Sequence, residues 1–510
     1  MQYNNTLALI GYFVSWSIYD RGYSISKLPV KELTHLNYAF ANIENGVPVL
    51  GDPRADINEK SALANGYFPY HRMSPFNKDA PLKRIPKIAT TSELASTSTS
   101  TIAATCKAKV AAAPTKGNLA ELIALKKKQP HLKTLLSIGG WAWSSAFKDV
   151  SSTTAARQKF AKGTLALLDR YSFDGVDIDW EYPSSTKEHL DFLMLLRELR
   201  KVLGTGRLIT VALPCGDVRM DFKTREIGKI VDLINLMAYD YRIAGYSPIA
   251  DHHSNLFGRN PTQKYSTDQC VRDYIKQGAP PHKITLGVPF YGRSFIISDT
   301  AGVVPPYDNP LGAGSGKLEK GVVLYRDIAK QSVKWEEVCK AAYVITSSRV
   351  TKTITSTHLR TTTIVATSNI KCFTCTSAIT SNVSSLNTNL SSGIVKNINI
   401  TSTLKPRTLT TPPKTTSTTT GASLNRTAKL LVSPTDGKLL QRATTSVITS
   451  LSSRITVEWQ TEVIFFDDVR AMEQKAKYAK RFGLGGVMFW DASGDTDDHQ
   501  LVRKLKEHLV

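Results

Sequence analysis

Short apolar runs recur along the chain, at Leu7 to Val14, Leu33 to Asn42, Leu132 to Ile138, Phe173 to Asp179, Leu208 to Leu213, Leu233 to Ala238, Ile284 to Phe290 and Gly486 to Trp490. Each has the length of a buried strand, and stretches of helical periodicity lie between them. The clearest helix follows the fourth run. Ser185 and Glu188 form a capping box at its start, and Leu190, Leu193, Leu196, Leu199 and Leu203 are expected to share one face that packs on a sheet. A last helix is predicted from about Asp468 to Phe482, closed by Gly483 before the final strand. Strand and helix alternating in this way predict an α/β protein, a (β/α)8 TIM barrel built from residues 7–293 and 461–510.

Two stretches break the alternation. Residues of about 73–117 include the Ser/Thr/Ala run Thr90 to Thr101, and about 346–456 are dominated by Ser and Thr. Neither shows sustained periodicity, so both are expected as disordered or loosely ordered loops, whether genuine insertions or translated intervening sequence. They also change the meaning of the charge. The formal net charge of +22 would suggest an anionic partner. Yet residues 346–457 hold thirteen Lys and Arg against the single acid Asp436, and residues 83–116 hold six against Glu93. The surplus is concentrated in low-complexity tracts without interleaved aromatics, which argues against a nucleic-acid partner.

The second tract carries sequons at Asn382, Asn389, Asn399 and Asn425, meaningful only in the secretory pathway. It also holds Cys372 and Cys375, a C-x-x-C with no second pair or histidine at ligand spacing. Cys106, Cys215, Cys270 and Cys339 are scattered. No apolar run is long enough for a membrane span, and the opening residues Met1 to Thr6 lack the basic start of a signal peptide.

The candidate chemistry lies in the fourth run, where Asp177, Asp179 and Glu181 alternate with Val176, Ile178 and Trp180. On a strand the acids share one face, roughly 7 Å apart at each step. Like charges so placed keep at least one carboxyl protonated near neutral pH, which general acid catalysis requires. A solvated acidic edge would not need Gly175 and the aromatic pair around the acids. A calcium loop would place its glycine after the acids rather than before them.

The segment Phe173-Asp174-Gly175-Val176-Asp177-Ile178-Asp179-Trp180-Glu181-Tyr182-Pro183 resembles the D-x-x-D-x-D-x-E signature of glycoside hydrolase family 18, the chitinases. Ser137-Ile138-Gly139-Gly140-Trp141 is similar to the family's third-strand motif, and Met237-Ala238-Tyr239-Asp240 to its sixth. Gly287 to Arg293 and Leu484 to Trp490 resemble the seventh and eighth, while Gly11 to Phe13 and Tyr38 to Asn42 resemble the first two.

The resemblance implies a retaining chitinase that cleaves β-1,4 bonds between N-acetylglucosamine units by substrate-assisted catalysis through an oxazolinium ion. Glu181 would be acid and then base, Asp179 would orient the substrate's acetamide, Asp177 would share a proton with Asp179, and Tyr239 would align the acetamide oxygen. Substrate contacts are implied for Trp490, Asp240, Met237, Tyr12, Phe40, Trp141, Tyr182 and Arg293, with Tyr246 standing where members place a loop aromatic.

An α+β insertion domain, interrupted by the second tract, is implied at 294–460, beginning near Gly321 to Tyr325 and Trp335 to Lys340. Chitin or chitooligosaccharides are the expected partners of a monomer, and the resemblance implies an extracellular site of action. No cofactor is expected. No metal is expected either, because His252 and His253 have no carboxylate or thiolate at ligand spacing. A chitin-binding lectin on the same barrel and an endoglycosidase acting on N-glycans are the alternatives.

Overall fold

The structure, a computed structural model, describes residues 7–58, 114–216, 222–260, 265–298, 305–366, 397–401, 420–432 and 439–509, with the backbone alone at 347–366, 397–401, 420–432 and 439–459. All eight expected strands form: β1 Ala8–Val14, β2 His35–Glu44, β3 Lys133–Gly139, β4 Gly175–Asp179, β5 Leu208–Pro214, β6 Leu233–Met237, β7 Ile284–Pro289 and β8 Gly486–Trp490. Each is parallel to its neighbours in the barrel, β1 pairs with both β2 and β8 to close it, and Val47–Leu50 pairs antiparallel on the end of β2. Helices α1 Asn118–Lys128, α2 Thr154–Tyr171, α3 Thr186–Leu203, α4 Thr224–Ile230, α5 Thr267–Lys276 and α6 Val469–Arg481 belong to the outer layer.

Residue alternation along β4 assigns the two sides of its wall. Val176 and Ile178 join the apolar layer beneath the helices, and Asp177 and Asp179 face the barrel interior. Trp180, just past the strand, is buried with Phe147 stacked on it at 5.5 Å and Phe192 of α3 edge-on at 5.8 Å. Burying an aromatic of this size contributes roughly 2 to 3 kcal/mol, so the chain between Asp179 and Glu181 is anchored from behind.

Several expectations need correction. Leu190 is exposed, whereas His189, Phe192, Leu193, Leu196, Leu199 and Leu203 form the buried face of α3. Three-residue steps lag the 3.6-residue turn, so a stripe read back in threes drifts off the face. The capping box is half made: Ser185 accepts from the Glu188 amide, but Glu188 accepts from Ser184. A further amphipathic helix, α7 Gln500–Leu509, follows the strand expected to end the fold. Cys215 and Cys270, 55 residues apart, form a disulfide joining the end of β5 to α5.

Between β7 and β8, strand Tyr291–Ile297 pairs antiparallel with Val322–Leu324 and with the end of Leu439–Phe466, in the register Arg293 to Phe465. The helical turn Tyr325–Ile328 and the antiparallel pair Lys334–Glu336 and Ala341–Ala366 also lie between β7 and β8. Residues Ser348–Gln460 make up a second compact unit. In it Asn397–Thr401, which includes Asn399, pairs antiparallel with Thr420–Val432, which includes Asn425 and also pairs with Leu439–Phe466. Extended strands thus stand where a loose loop is expected, as β-branched Thr, Val and Ile favour. Cys372, Cys375, Asn382, Asn389 and nearly all of the first tract lie outside the described residues.

The chain on either side of that first tract meets. An added Cβ on Gly117 would come within 2.6 Å of the Asp56 carbonyl oxygen and 2.8 Å of the Ile57 Cα. Asp56 itself is buried and accepts from the Tyr38 hydroxyl, which also accepts from Asn118 at 3.2 Å. Replacing residues 59–113 with a short Gly/Ser linker is therefore expected to keep the barrel, because loop closure favours the shorter connection by about 0.6 kcal/mol per halving of length. Thermal unfolding should give a midpoint no lower than that of the full chain; a folded state lost on excision would contradict this.

Candidate active site

The C-terminal ends of the barrel strands surround an open cleft of 880 Å³. Every expected site residue except Asp177 lines it. Asp177 lies behind, fully buried, and accepts hydrogen bonds from the Tyr12 hydroxyl (2.7 Å), Ser137 Oγ (2.7 Å), Thr210 Oγ1 (2.5 Å) and Asn235 Nδ2 (3.1 Å). Register places these donors, since Ser137 and Thr210 sit opposite Asp177 on the flanking strands. Asn235 Oδ1 in turn accepts from Thr285 at 2.7 Å, so the amide orientation is set from β7. Burial raises the Asp177 carboxyl, and the four donors act against that rise.

Asp179 has no such support. Its Oδ1 is buried without a hydrogen-bond partner among the described residues, and burial together with the charges of Glu181 and Asp177 pushes its carboxyl well up. Of the two carboxyls, Asp179 is the one pushed further toward its neutral form, while four donors stabilise charge on Asp177. Glu181 lies two residues beyond the strand end. Burial raises its carboxyl to about 7, with the Asp240 charge adding to the rise and hydrogen bonds from Tyr182 and the Trp141 amide opposing it.

Across the cleft, Tyr239 follows β6 and keeps its proton, because burial and the nearby carboxylates push the phenol well above its ordinary value. Asp240 turns the chain at φ +63°, a conformation Asp tolerates better than most residues. Arg293 forks onto it, with Nε to Oδ1 at 2.8 Å and Nη2 to Oδ2 at 2.6 Å, and Tyr291 donates at 2.8 Å. Burial alone would raise Asp240; Arg293 and His253, whose Nδ1 is 3.4 Å away, hold it well below the usual carboxylate range. Arg293 is buried rather than a surface charge, and its guanidinium, forked onto Asp240, also lies over the Tyr291 ring at 5.3 Å.

The floor is aromatic. Trp490 packs against Tyr12 at 5.3 Å and stacks on Phe40 at 5.6 Å, with Met237 in the same cluster. Trp141 and Tyr246 line the cleft with about half their surface exposed, and Tyr182 stands beside Glu181. Arg293, Glu319, Val322 and Leu324 show that residues inserted between β7 and β8 supply part of the lining.

Thr210, Asn235 and His253 are polar partners that motif comparison passes over, and Tyr291 lies within the seventh-strand motif without a role assigned to it. A signal exists for the first two: each is polar within an otherwise apolar strand, which inside a barrel marks an inward position needing a partner. His252 also gains partners invisible to spacing. Its Nε2 is 2.9 Å from Glu336 Oε2, and Cys339 Sγ is 3.2 Å from Glu336 Oε1, a grouping of potential metal ligands that corrects the view that His252 lacks them. The positive charge there is supplied by Arg259, which forks onto Glu336 at 2.5 and 2.7 Å and reaches Asp251 at 2.7 Å. Burial pushes the Cys339 thiol well up, so it is protonated and a poor ligand.

Residues 8–495 match the family model described as Glycosyl hydrolases family 18. Chitinase 1 of Aphanocladium album is 33% identical over 348 residues, covering 65% of this chain and 71% of that protein. Endochitinase 1 of Metarhizium robertsii is 31% identical with the same coverage. Among solved structures, the Ostrinia furnacalis Group IV chitinase superposes with a TM-score of 0.59 at 20% identity, covering 99% of each chain. A class V chitinase from Nicotiana tobaccum in complex with NAG4 gives a TM-score of 0.58 at 17% identity, also covering 99% of each chain. Among the described residues no helix is long and apolar enough to cross a membrane.

Proposed function

The chain belongs to glycosyl hydrolases family 18, and on that premise we propose that it is a retaining chitinase that uses the substrate's own acetamide as nucleophile. The observation that carries the mechanism is the state of the carboxyls around the cleft. A retaining glycosidase with an enzyme nucleophile needs a second free carboxylate about 5 Å from its acid. Asp240 is bound by Arg293 and Tyr291, and burial with the charges of Glu181 and Asp177 pushes the Asp179 carboxyl toward its neutral form. Neither suits the nucleophile's role, which supports the sugar's own acetamide as the nucleophile.

Glu181, protonated up to about pH 7, gives its proton to the glycosidic oxygen as the C1–O bond breaks. The 2-acetamido carbonyl oxygen bonds to C1 from the opposite face, forming an oxazolinium ion. Asp179 accepts from the acetamide N–H and passes its own proton toward Asp177, so a carboxylate faces the positive ring. Tyr239 donates to the acetamide oxygen and holds it in line for attack. Water then adds to C1, Glu181 takes its proton, and the acetamide is released. Trp490 carries the C–H face of the sugar in the reacting position. The relatives' names and the NAG4-bound neighbour support β-1,4-linked N-acetylglucosamine polymers as substrate. A purely carbohydrate-binding role is disfavoured by a cleft that retains Glu181, Asp179 and Tyr239 together.

Two displacements at C1 keep its configuration. Proton NMR during the first minutes of chitooligosaccharide hydrolysis is therefore expected to show the β-anomer of the new reducing end before mutarotation. Initial α-anomer would exclude the mechanism.

A further inference from the structure

Glu181 carries the proton in the proposed reaction, yet it lies outside the sheet. The last ladder pairs on either side of β4 are Gly139 with Asp179 and Ile178 with Val211, so the Glu181 amide is past the strand hydrogen bonding. One side chain takes over from the ladder. Ser144, buried on the 3-10 turn Trp141–Ala146, accepts from the Glu181 N–H at 2.7 Å. Its single proton faces two carbonyl oxygens, that of Gly140 at 2.9 Å and that of Asp179 at 3.2 Å. The same Asp179 carbonyl accepts from the Gly140 N–H at 2.8 Å. One hydroxyl therefore ties both peptides flanking Trp180 to the turn that follows β3.

We infer that Ser144 is a positioning residue for the acid/base: it sets the direction of the Glu181 side chain through the Glu181 backbone amide and touches neither substrate nor carboxyl. Ser144 does not line the cleft, so its loss removes no sugar contact. Trp180 remains packed behind the chain in its absence, so the fold retains its anchor. What changes is the freedom of the peptide bearing the acid. A misplacement near 1 Å of a reacting group costs about 10²-fold in rate.

The inference rests on the proposed function, and its test separates the two. In the full chain, Ser144→Ala is expected to lower kcat on chitooligosaccharides by about tenfold to a hundredfold, with KM within about threefold, since the lost contact acts on the acid and not on binding. Ser144→Thr, which keeps the hydroxyl, should recover most of the rate. Hydrogen exchange followed by mass spectrometry should show the Glu181 amide exchanging faster in the Ala variant than in wild type or Ser144→Thr. Wild-type kcat in Ser144→Ala overturns the inference, as does equal loss in both variants with unchanged exchange at Glu181, which would assign the position to packing. A wild-type chain that cleaves nothing would defeat the proposed function, while the exchange comparison would still decide whether Ser144 restrains Glu181.

Discussion

Glu181→Gln is expected to lower kcat on chitooligosaccharides by at least about 10³-fold while their dissociation constants stay within about threefold. Glutamine preserves the volume of the side chain and can still accept from Tyr182 and the Trp141 amide. It cannot release a proton to a leaving oxygen or take one from water. No neighbour can replace it: Asp240 is held ionised by Arg293, and Asp179 lies one strand step back, inside the barrel. The same residue sets a pH limb. With its carboxyl raised to about 7, Glu181 is protonated below that pH and loses its proton above it, so wild-type kcat/KM should fall as pH rises through about 7. Any residual rate of the Gln variant should lack that limb. Oligosaccharide turnover followed by chromatography, with calorimetry for binding, measures all three; turnover within tenfold of wild type would remove Glu181 from the chemistry.

The environments on the two sides of the cleft are what make this division possible. Glu181 and Asp240 are carboxyls facing one cleft, yet one is pushed up by burial and the other down by a guanidinium fork. Separating the two values keeps an acid and an ion side by side at one pH. The Asp240 charge also contributes to raising Glu181.

The barrel was legible because its strands are continuous apolar runs, and a parallel sheet covered on both faces leaves no other composition for them. The acids were legible because a charged alternation inside such a run has no structural excuse. What stayed hidden depends on contacts between distant residues. The fork from Arg293 to Asp240 spans 53 positions, and the His252–Glu336 contact spans 84. The disulfide between Cys215 and Cys270 follows no local spacing and arises because β5 and α5 bring the two together. Leu190 was misplaced for a different reason: a face inferred from threefold steps drifts, and only the packing against Trp180 and Phe222 shows that His189 and Phe192 hold the inner positions. Ser144 is an ordinary serine in sequence, four residues past a glycine pair. Its importance comes from two carbonyls and an amide that converge on it only after β3 and β4 have paired.

The second large effect is expected from Asp179→Asn, a loss of about 10² to 10³ in kcat, comparable to removing one preorganised electrostatic group from a transition state. Asparagine fills the same space and can still meet the acetamide N–H, so binding should change little. It cannot become negative. In the proposed mechanism Asp179 starts in its neutral form, the state its burial favours while four donors stabilise charge on Asp177, and gives up its proton as positive charge grows on the ring. An amide blocks the transfer and leaves the developing cation facing a neutral group. The deficit should therefore fall on kcat, with KM near wild type. Asp177→Ala should behave differently, since it removes the acceptor of the Tyr12, Ser137 and Thr210 hydroxyls in the barrel interior, each left unsatisfied at about 1 to 3 kcal/mol, and leaves the Asn235 amide only its longer bond to Tyr12. Thermal unfolding and kinetics on the two variants distinguish the roles. Asp179→Asn should keep its midpoint and lose rate, whereas Asp177→Ala should lose both. Near wild-type kcat in Asp179→Asn would mean that the intermediate carries no charge this carboxyl stabilises, and the substrate-assisted mechanism would have to be abandoned.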